Sequence, residues 1–196
     1  MVRRGDADVI NAALWFSDLR NFTQLTEDLP PKDILGMLND YFEYVSAAVS
    51  ARGGEILRFI GDAMLIVFPI TDEVSRREAC IAALESAMDA QASLAVENHR
   101  RRRQGDPEIA FGVGLNVGEV IYGNVGALDR LDFTVMGPAV NRTARLESLT
   151  KALGHAVCVS ALFAAECDAP MLDLGEHAMK GIAEPQRVFA PQEQGA

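Results

Sequence analysis

The stretch that most constrains the fold lies in the first third of the chain, at residues 55–68. It consists of two apolar segments separated by Gly61-Asp62, a dipeptide typical of a tight turn between antiparallel strands. We therefore predict a β-hairpin that holds the carboxylate of Asp62 at its tip. An earlier apolar segment, residues 12–18, also ends in an aspartate, Asp18. If the two strand ends converge, their carboxylates provide oxygen ligands of the kind that a pair of divalent cations requires.

Composition indicates a folded domain and excludes several classes of protein. The 196 residues suffice for one domain with a full core, and we expect a single domain over residues 1–196 with its core at about 8–190. Hydrophobic residues make up 49% and charged residues 23%, which is typical of a globular chain. The formal net charge of -10 argues against nucleic acid as a partner, because nucleic-acid binders carry basic surfaces.

The cysteine pattern and the hydropathy of the chain predict its location in the cell. The chain has three cysteines without CxxC spacing, which predicts a reduced, cytoplasmic setting and no zinc site. No apolar run approaches the ~20 residues that a membrane span needs, so we expect no membrane contact within this chain. A membrane-attached or regulatory part of a longer protein would lie outside it. The cysteines are Cys80, Cys158 and Cys167.

The order of periodic segments predicts the fold class. It is an α+β fold with a ferredoxin-like βαββαβ kernel, extra strands, and helices packed against an antiparallel-dominated sheet. Besides the hairpin, the predicted strands are residues 8–18, a pair within 109–125 that turns at Gly118-Glu119, 131–136, 157–159 and 187–190. The predicted helices are residues 21–28, a helix between Pro30-Pro31 and Gly53-Gly54, 74–103, and a helix between Gly137-Pro138 and Gly154.

Two helices carry predicted core faces. Helical spacing gives one apolar face to each of the long helices. On the first these residues are Ile34, Leu38, Phe42, Val45 and Val49; on the second they are Cys80, Leu84, Ala87, Met88 and Leu94.

Two further features suggest contacts with a phosphate-bearing molecule. Asn141 and Arg145 lie four apart on one helix and therefore share a face, where they offer an amide and a guanidinium fork. Main-chain N–H groups at the start of the short helix at Asn21 could hold phosphate. An ordinary strand-to-helix turn explains Asn21 equally well, and a turn or cap role explains either aspartate taken alone.

Four segments in sequence order resemble the catalytic domain of class III adenylate/guanylate cyclases, and the Thr-type, bacterial-like adenylate cyclases in particular. The resemblance covers roughly residues 8–190. The segments are Phe16-Ser-Asp-Leu-Arg-Asn-Phe-Thr23, Phe59-Ile-Gly-Asp-Ala-Met-Leu-Ile-Val-Phe68, Gly112-Val-Gly-Leu-Asn-Val-Gly-Glu-Val-Ile-Tyr-Gly-Asn-Val-Gly126 and Thr134-Val-Met-Gly-Pro-Ala-Val-Asn-Arg-Thr-Ala-Arg-Leu-Glu147.

The resemblance implies conversion of ATP to 3′,5′-cyclic AMP and pyrophosphate, by attack of the ribose 3′-oxygen on the α-phosphorus. Asp18 and Asp62 would hold two Mg²⁺ or Mn²⁺ ions. Arg145 would stabilise charge on the phosphate in the transition state, and Asn141 would position the ribose. Lys180 would pair with the terminal phosphates. The turn would supply main-chain donors through Asn21, Phe22 and Thr23.

The resemblance also implies a homodimer, because in this family the site lies between two catalytic domains. The metal-binding aspartates come from one subunit, and the opposite set comes from the other. This chain carries both sets, so two equivalent composite sites are expected. The opposite set comprises Arg58, Thr134, Asn141 and Arg145.

The base-binding positions leave the nucleotide open between ATP and GTP. Many adenylate cyclases have Lys where this chain has Arg58 and Asp or Thr at the position of Thr134, whereas guanylate cyclases tend to have Glu and Cys. Thr134 and the missing Glu favour ATP, although a guanidinium differs from an ammonium in its donor geometry. Stimulation by bicarbonate, known for some Thr-type members, is a hypothesis here.

Three other functions can be compared with the sequence. The first is a degenerate cyclase-like module that binds nucleotide without turnover. The second is a diguanylate cyclase, which would carry Gly-Gly-Asp/Glu-Glu-Phe where this chain has Ile60-Gly-Asp-Ala-Met64. The third, a P-loop NTPase, is excluded because no G-x-x-x-x-G-K-[ST] motif is present.

Overall fold

The structure, a computed structural model, describes residues 7–127 and 130–192, and within these ranges it describes no side chains for residues 7, 124–127 and 130–134. The described elements are, in chain order, β1 (Ala7–Leu19), α1 (Phe22–Asp28), α2 (Pro31–Ser50), β2 (Glu55–Ile60), β3 (Ala63–Pro69), α3 (Arg76–Gln104), β4 (Phe111–Ala127), β5 (Arg130–Met136), α4 (Pro138–Leu153), β6 (Val157–Ser160), α5 (Ala161–Ala164), β7 (Met171–His177) and β8 (Gln186–Pro191).

These strands form one sheet in the order β2-β3-β1-β4-β6-β8-β7, and β5 pairs with β4 off this path. The pairing of β4 with β6 is parallel, and the other pairings are antiparallel. The segment from β1 to β4, with its helices, is the predicted βαββαβ kernel. The predicted fold class, α+β with an antiparallel-dominated sheet, is therefore confirmed.

The central strand β4 separates two different packing surfaces, because successive side chains of a strand point to opposite faces of the sheet. On one face, apolar side chains of β4 enter the large core that α2 and α3 cover. On the other face, mostly glycines lie under α4. The first set is Phe111, Val113, Leu115 and Val117. The second set is Gly112, Gly114, Asn116 and Gly118.

Helix α2 packs with a face that differs from the predicted one. Leu38 and Phe42 are only half-buried at the edge of the core, whereas Met37 and Tyr41 are fully buried. Tyr41 takes the central place because its hydroxyl is hydrogen-bonded to buried Ser17 at 2.7 Å. The residues that α2 buries are Ile34, Met37, Tyr41, Val45 and Val49.

Helix α3 begins at a capping box formed by Ser75 and Glu78 and is followed by Gly105 at φ 78°, a left-handed conformation that glycine adopts readily. Its predicted core face is correct except at Met88, which is 37% exposed. The confirmed residues are Cys80, Leu84, Ala87 and Leu94.

The predicted turn at Gly118-Glu119 is wrong, because β4 runs unbroken through both residues. Gly118 pairs with Ala12 and Glu119 pairs with Asn11 on β1, so this dipeptide lies inside the ladder. The glycine instead makes room for α4, since a Cβ at Gly118 would lie 3.1 Å from the Cβ of Ala139. Strand β7 was also not predicted; its pairing with β8 is interrupted by a register shift between Asp173 and Gly175.

Within the described ranges, no helix combines the length and apolarity needed to cross a bilayer. The three cysteines are free thiols, and two of them, Cys80 and Cys158, are buried.

Candidate active site

The structure brings the carboxylates of Asp18 and Asp62 into contact. Antiparallel pairing of β1 with β3 places Ser17 opposite Met64, so the end of β1 reaches the tip of the β2–β3 hairpin. There the side chains of Asp18 and Asp62 lie close enough to interact, and this interaction raises the pKa of Asp18. The turn between the strands contains Gly61 at φ 65°, a value that favours glycine. The role of the two aspartates as metal ligands stays a prediction.

The environment of Asp18 opposes its negative charge. Burial, the contact with Asp62 and the charge of Glu147 raise the pKa of Asp18 from its ordinary 3.8 to about 7, and the main-chain N–H of Leu19 acts in the opposite direction. The Oδ1 atom of Asp18 is buried without a hydrogen-bond partner. A buried acceptor of this kind is costly unless something pairs with it, and a cation held between the two carboxylates would do so.

The two carboxylates are suited to magnesium or manganese, because they are too few to surround a metal with protein ligands alone. In the part of the chain that the structure describes, no cluster of three or more His, Cys, Asp or Glu side chains could hold a metal. Two carboxylates leave coordination positions for water and for substrate oxygens, which is how Mg²⁺ is commonly bound with phosphates.

A hydrogen bond beneath the aspartates fixes the end of β1 on α2. Tyr41 is fully buried, lies with its ring centroid 5.1 Å from that of Phe111, and is hydrogen-bonded to Ser17, the residue before Asp18. Burial raises the pKa of the Tyr41 hydroxyl, and the nearby aspartates raise it further. The phenol therefore stays neutral and holds the strand in place. The sequence analysis missed this contact because apolar spacing does not reveal a buried hydroxyl pair.

A second group that the sequence analysis missed lies over Gly112, the residue opposite Asp18 in the β1–β4 ladder. Polar atoms of Arg20, Glu147 and Thr150 occupy the space that a Cβ at Gly112 would fill. Glu147 is buried; burial raises the pKa of its carboxyl, and the charge of Arg20 lowers it. The alternation of glycine with apolar residues along β4 was the sequence signal that could have indicated this group.

Helix α4 turns Asn141 and Arg145 away from the sheet. Its buried residues form a stripe toward β4, and at 100° per residue Asn141 and Arg145 lie on the opposite side. Asn141 is exposed and Arg145 is half-buried. One chain therefore does not bring this pair to its own aspartates. The stripe comprises Ala139, Thr143, Leu146, Glu147 and Thr150.

The turn at the start of α1 lies where the helix start was predicted, and its role in holding phosphate stays a prediction. Asn21 has the left-handed φ of 56° and caps α1 without a side-chain hydrogen bond. Its Oδ1 instead accepts a hydrogen bond from Nζ of Lys151 at 2.8 Å. Phe22 is half-buried against the core, and Thr23 is exposed in the first turn.

Lys180 is exposed in the loop between β7 and β8. The preceding residue, Met179, is buried in a cluster with Leu146 of α4, so this loop is anchored beside the helix that carries Arg145.

The base-binding positions lie on strands that approach each other within one chain. Arg58 is exposed on β2, opposite Leu65 and directly after a register shift in the ladder. The main chain of Thr134 pairs with Gly123, but its side chain lies outside the described part. Leu57 and Val135, the neighbours of these two residues, pack against the same apolar cluster.

Comparisons with known proteins show the family of this chain. The family described as "Adenylate and Guanylate cyclase catalytic domain" matches residues 7–189. Adenylate cyclase 1 of Rhizobium meliloti is 34% identical over 154 residues, which is 78% of this chain and 23% of that relative. The chain thus spans about a quarter of that curated relative.

Solved structures of the same family superpose on most of the chain. The adenylyl cyclase CyaB from P. aeruginosa has a TM-score of 0.87 at 26% identity and covers 97% of both chains. The guanylyl cyclase Cya2 has a TM-score of 0.80 at 27% identity, covering 98% of this chain and 97% of that one. This chain belongs to the adenylate and guanylate cyclase catalytic domain family.

Proposed function

We propose that this domain converts ATP to 3′,5′-cyclic AMP and pyrophosphate as a homodimer with two composite sites. The observation that carries the proposal is the contact between Asp18 and Asp62, together with the buried, unpartnered Oδ1 of Asp18. Such a pair is repulsive by itself and suits a site that receives divalent cations with its substrate. The names of the relatives support cyclase chemistry.

Asp18 and Asp62 would hold two Mg²⁺ or Mn²⁺ ions. When bound, such ions lower the pKa of a coordinated hydroxyl and neutralise charge that develops on phosphate oxygens. The protein's own part is to hold both carboxylates in place. The hydrogen bond between Ser17 and Tyr41 and the Gly61-Asp62 turn serve that purpose.

The orientation of α4 supports the proposal that Asn141 and Arg145 of a second copy of the chain complete the site. Asn141 and Arg145 face away from the sheet that carries Asp18, so they are available to a substrate held by another chain. A two-fold dimer would place the carboxylates of each subunit opposite α4 of the other, and this would generate two equivalent sites.

In each site one residue would bind the ribose and the others would bind the phosphates. Asn141 would hold the ribose so that its 3′-oxygen points at the α-phosphorus, and Arg145 would donate to the α-phosphate oxygens as charge builds there. Lys180 and the main-chain N–H groups from Asn21 to Thr23 would hold the other two phosphates. A bond forms between the 3′-oxygen and the α-phosphorus, and the bond from the α-phosphorus to pyrophosphate breaks. The hydroxyl proton passes to solvent.

GTP is the second candidate substrate. Arg58 is exposed on β2, where its guanidinium could donate to adenine N1 or to guanine O6, and one well-matched solved structure is a guanylyl cyclase. We favour ATP because Arg58 and Thr134 offer no acidic acceptor for the N1–H and amino group of guanine.

Turnover assays with ATP and GTP, each with Mn²⁺ or Mg²⁺, test the proposal. We expect cyclic AMP as the main product, and a loss on the order of 10³-fold or more in Asp62→Asn, because removal of one carboxylate removes a metal ligand. Asp106→Asn is the control, since Asp106 is exposed beyond α3. Equal activity of the two variants would contradict the metal assignment, and cyclic GMP as the main product would favour the second candidate.

Mixing two inactive variants tests the composite site. Asp62→Asn and Arg145→Ala damage opposite halves, so a mixed dimer contains one intact site. After exchange of subunits we expect about a quarter of the wild-type rate, because half of the randomly formed dimers are mixed and each has one site. No recovery from a mixture in which exchange is verified would contradict the shared site.

A further inference from the structure

The polar cluster over Gly112 lies next to the two aspartates without contacting either by a described hydrogen bond. Gly112 pairs directly with Asp18. A Cβ at Gly112 would lie 2.7 Å from Oε1 of Glu147 and 3.0 Å from Nη2 of Arg20. The two oppositely charged side chains therefore lie over the same glycine, which is opposite Asp18 in the ladder, and the charge of Arg20 acts on Glu147.

Arg20 is close enough in sequence to compete for Asp18, because only Leu19 separates the two. Its Nη2 donates to the main-chain oxygen of His155 at 3.4 Å, and its charge acts on buried Glu147. Both interactions hold the guanidinium over Gly112. A guanidinium that turned back toward Asp18 would form an ion pair with it and occupy a carboxylate that a cation needs.

Glu147 is held by the main chain around it. Helix α4 lies so close to β4 that a Cβ at Gly114 would fall within 3 Å of the main-chain oxygen of Thr143 and the main-chain nitrogen of Glu147. The hydroxyl of Thr150 donates to the main-chain oxygen of Glu147. The main chain of Glu147 therefore cannot move relative to β4 unless the helix moves, and this limits how far its carboxylate can move from Gly112.

We propose that Glu147 is a positioning residue that holds the Arg20 guanidinium over Gly112 and away from Asp18 and Asp62, so that the two carboxylates remain open to cations. This inference rests on the proposed metal site. It gives a function to buried Glu147 on α4 and to Arg20, which lies two positions after Asp18.

Binding of Mn²⁺ alone, measured by the electron paramagnetic resonance signal of the free ion, tests the role. Glu147→Gln keeps the size of the side chain but releases Arg20, and we expect Mn²⁺ affinity to fall about tenfold, as for other groups that orient metal ligands. Glu97→Gln is the matched control. Glu97 is also a buried helical glutamate, but it pairs with Arg100 on α3; we expect no change in affinity.

A double variant separates charge positioning from a general loss of structure. Arg20→Gln alone should bind Mn²⁺ about as tightly as the wild type or up to threefold tighter, because a nearby positive charge is removed. In Arg20→Gln/Glu147→Gln the affinity should return to within about threefold of the wild type. A purely structural role for Glu147 would leave the double variant as weak as Glu147→Gln, and that result would overturn the inference.

Two further outcomes keep the test decisive. If Glu147→Gln does not fold, Arg20→Gln is decisive, and weaker Mn²⁺ binding in that folded variant would overturn the inference. Asp62→Asn is titrated in parallel. If it binds Mn²⁺ as the wild type does, the proposed metal site is wrong; if it loses binding while Glu147→Gln keeps full affinity, only the role of Glu147 is wrong.

Discussion

The two faces of β4 are built from the same short segment but serve different purposes. Residues 111–118 alternate, so that four apolar side chains enter the core under α2 and α3, whereas three glycines and one asparagine lie toward α4. The first face excludes water by filling space with side chains. On the second face the strand itself contributes almost no side chains, which lets α4 approach the main chain of the strand and brings charged groups beside Asp18.

The comparison separates positions that mainly determine the stability of the fold from positions that also determine the geometry of the site. On the apolar face a substitution should act mainly on the free energy of unfolding. On the glycine face a substitution should act on the geometry around Asp18 as well, because Glu147 and Arg20 both lie over Gly112. The following variants test this division, beginning with the largest expected effect.

Leu115→Ala should give the largest loss of stability. Leu115 is fully buried in the main core, and truncation of such a side chain leaves a cavity that costs about 3 kcal/mol. Urea unfolding measures the change, and turnover per folded molecule should stay within about threefold of the wild type. A larger loss of turnover in the folded fraction would break the proposed division between the two faces.

Gly114→Ala should cost less stability but more activity. The added Cβ would meet the main chain of α4, and overpacking of this kind costs about 2 kcal/mol. Displacement of α4 should lower turnover by on the order of tenfold or more, because small misplacements of catalytic groups are costly. Gly118→Ala is the control, because its Cβ would meet only the Cβ of Ala139, at 3.1 Å. Equal losses in the two variants would contradict the importance of the contact at Gly114.

Asp18→Asn should have the smallest effect on stability and the opposite sign. The pKa of Asp18 is raised from 3.8 to about 7 in the folded chain, so in metal-free protein its contribution to stability is lost as the pH rises from about 4 to about 7. At pH 8, with EDTA present, the variant should be more stable than the wild type by about 1 kcal/mol, a value reduced because the carboxyl is partly solvated.

Near pH 4 this advantage should largely disappear, because Asp18 is then protonated in the folded chain and only about half ionised in the unfolded chain. Urea unfolding at the two pH values measures the difference. An Asp18→Asn variant that is less stable than the wild type at pH 8 would show that Asp18 stabilises the fold and is not held there against its charge.

Local patterns in the sequence were enough to predict the kernel and the places where its strands end. Periodicity predicted the hairpin at residues 55–68, the long helices and the strand that ends at Asp18, and the structure confirms them. These features follow from local rules, because a Gly-Asp turn, a capping box and an apolar period of 3.6 or 2 act over a few residues. Four segments in the family's order also sufficed to identify the family, which the match over residues 7–189 confirms.

The groups that surround those strand ends depend on contacts between distant parts of the chain. Gly118-Glu119 resembles a turn locally, but pairing with β1 keeps it in a strand. The bond between Ser17 and Tyr41 joins residues 24 positions apart, and the cluster over Gly112 joins Arg20 to Glu147 across the sheet. Contacts of this kind depend on strand order and on the angle at which α4 crosses the sheet. These are set by the packing of the whole chain, so no local pattern could predict them.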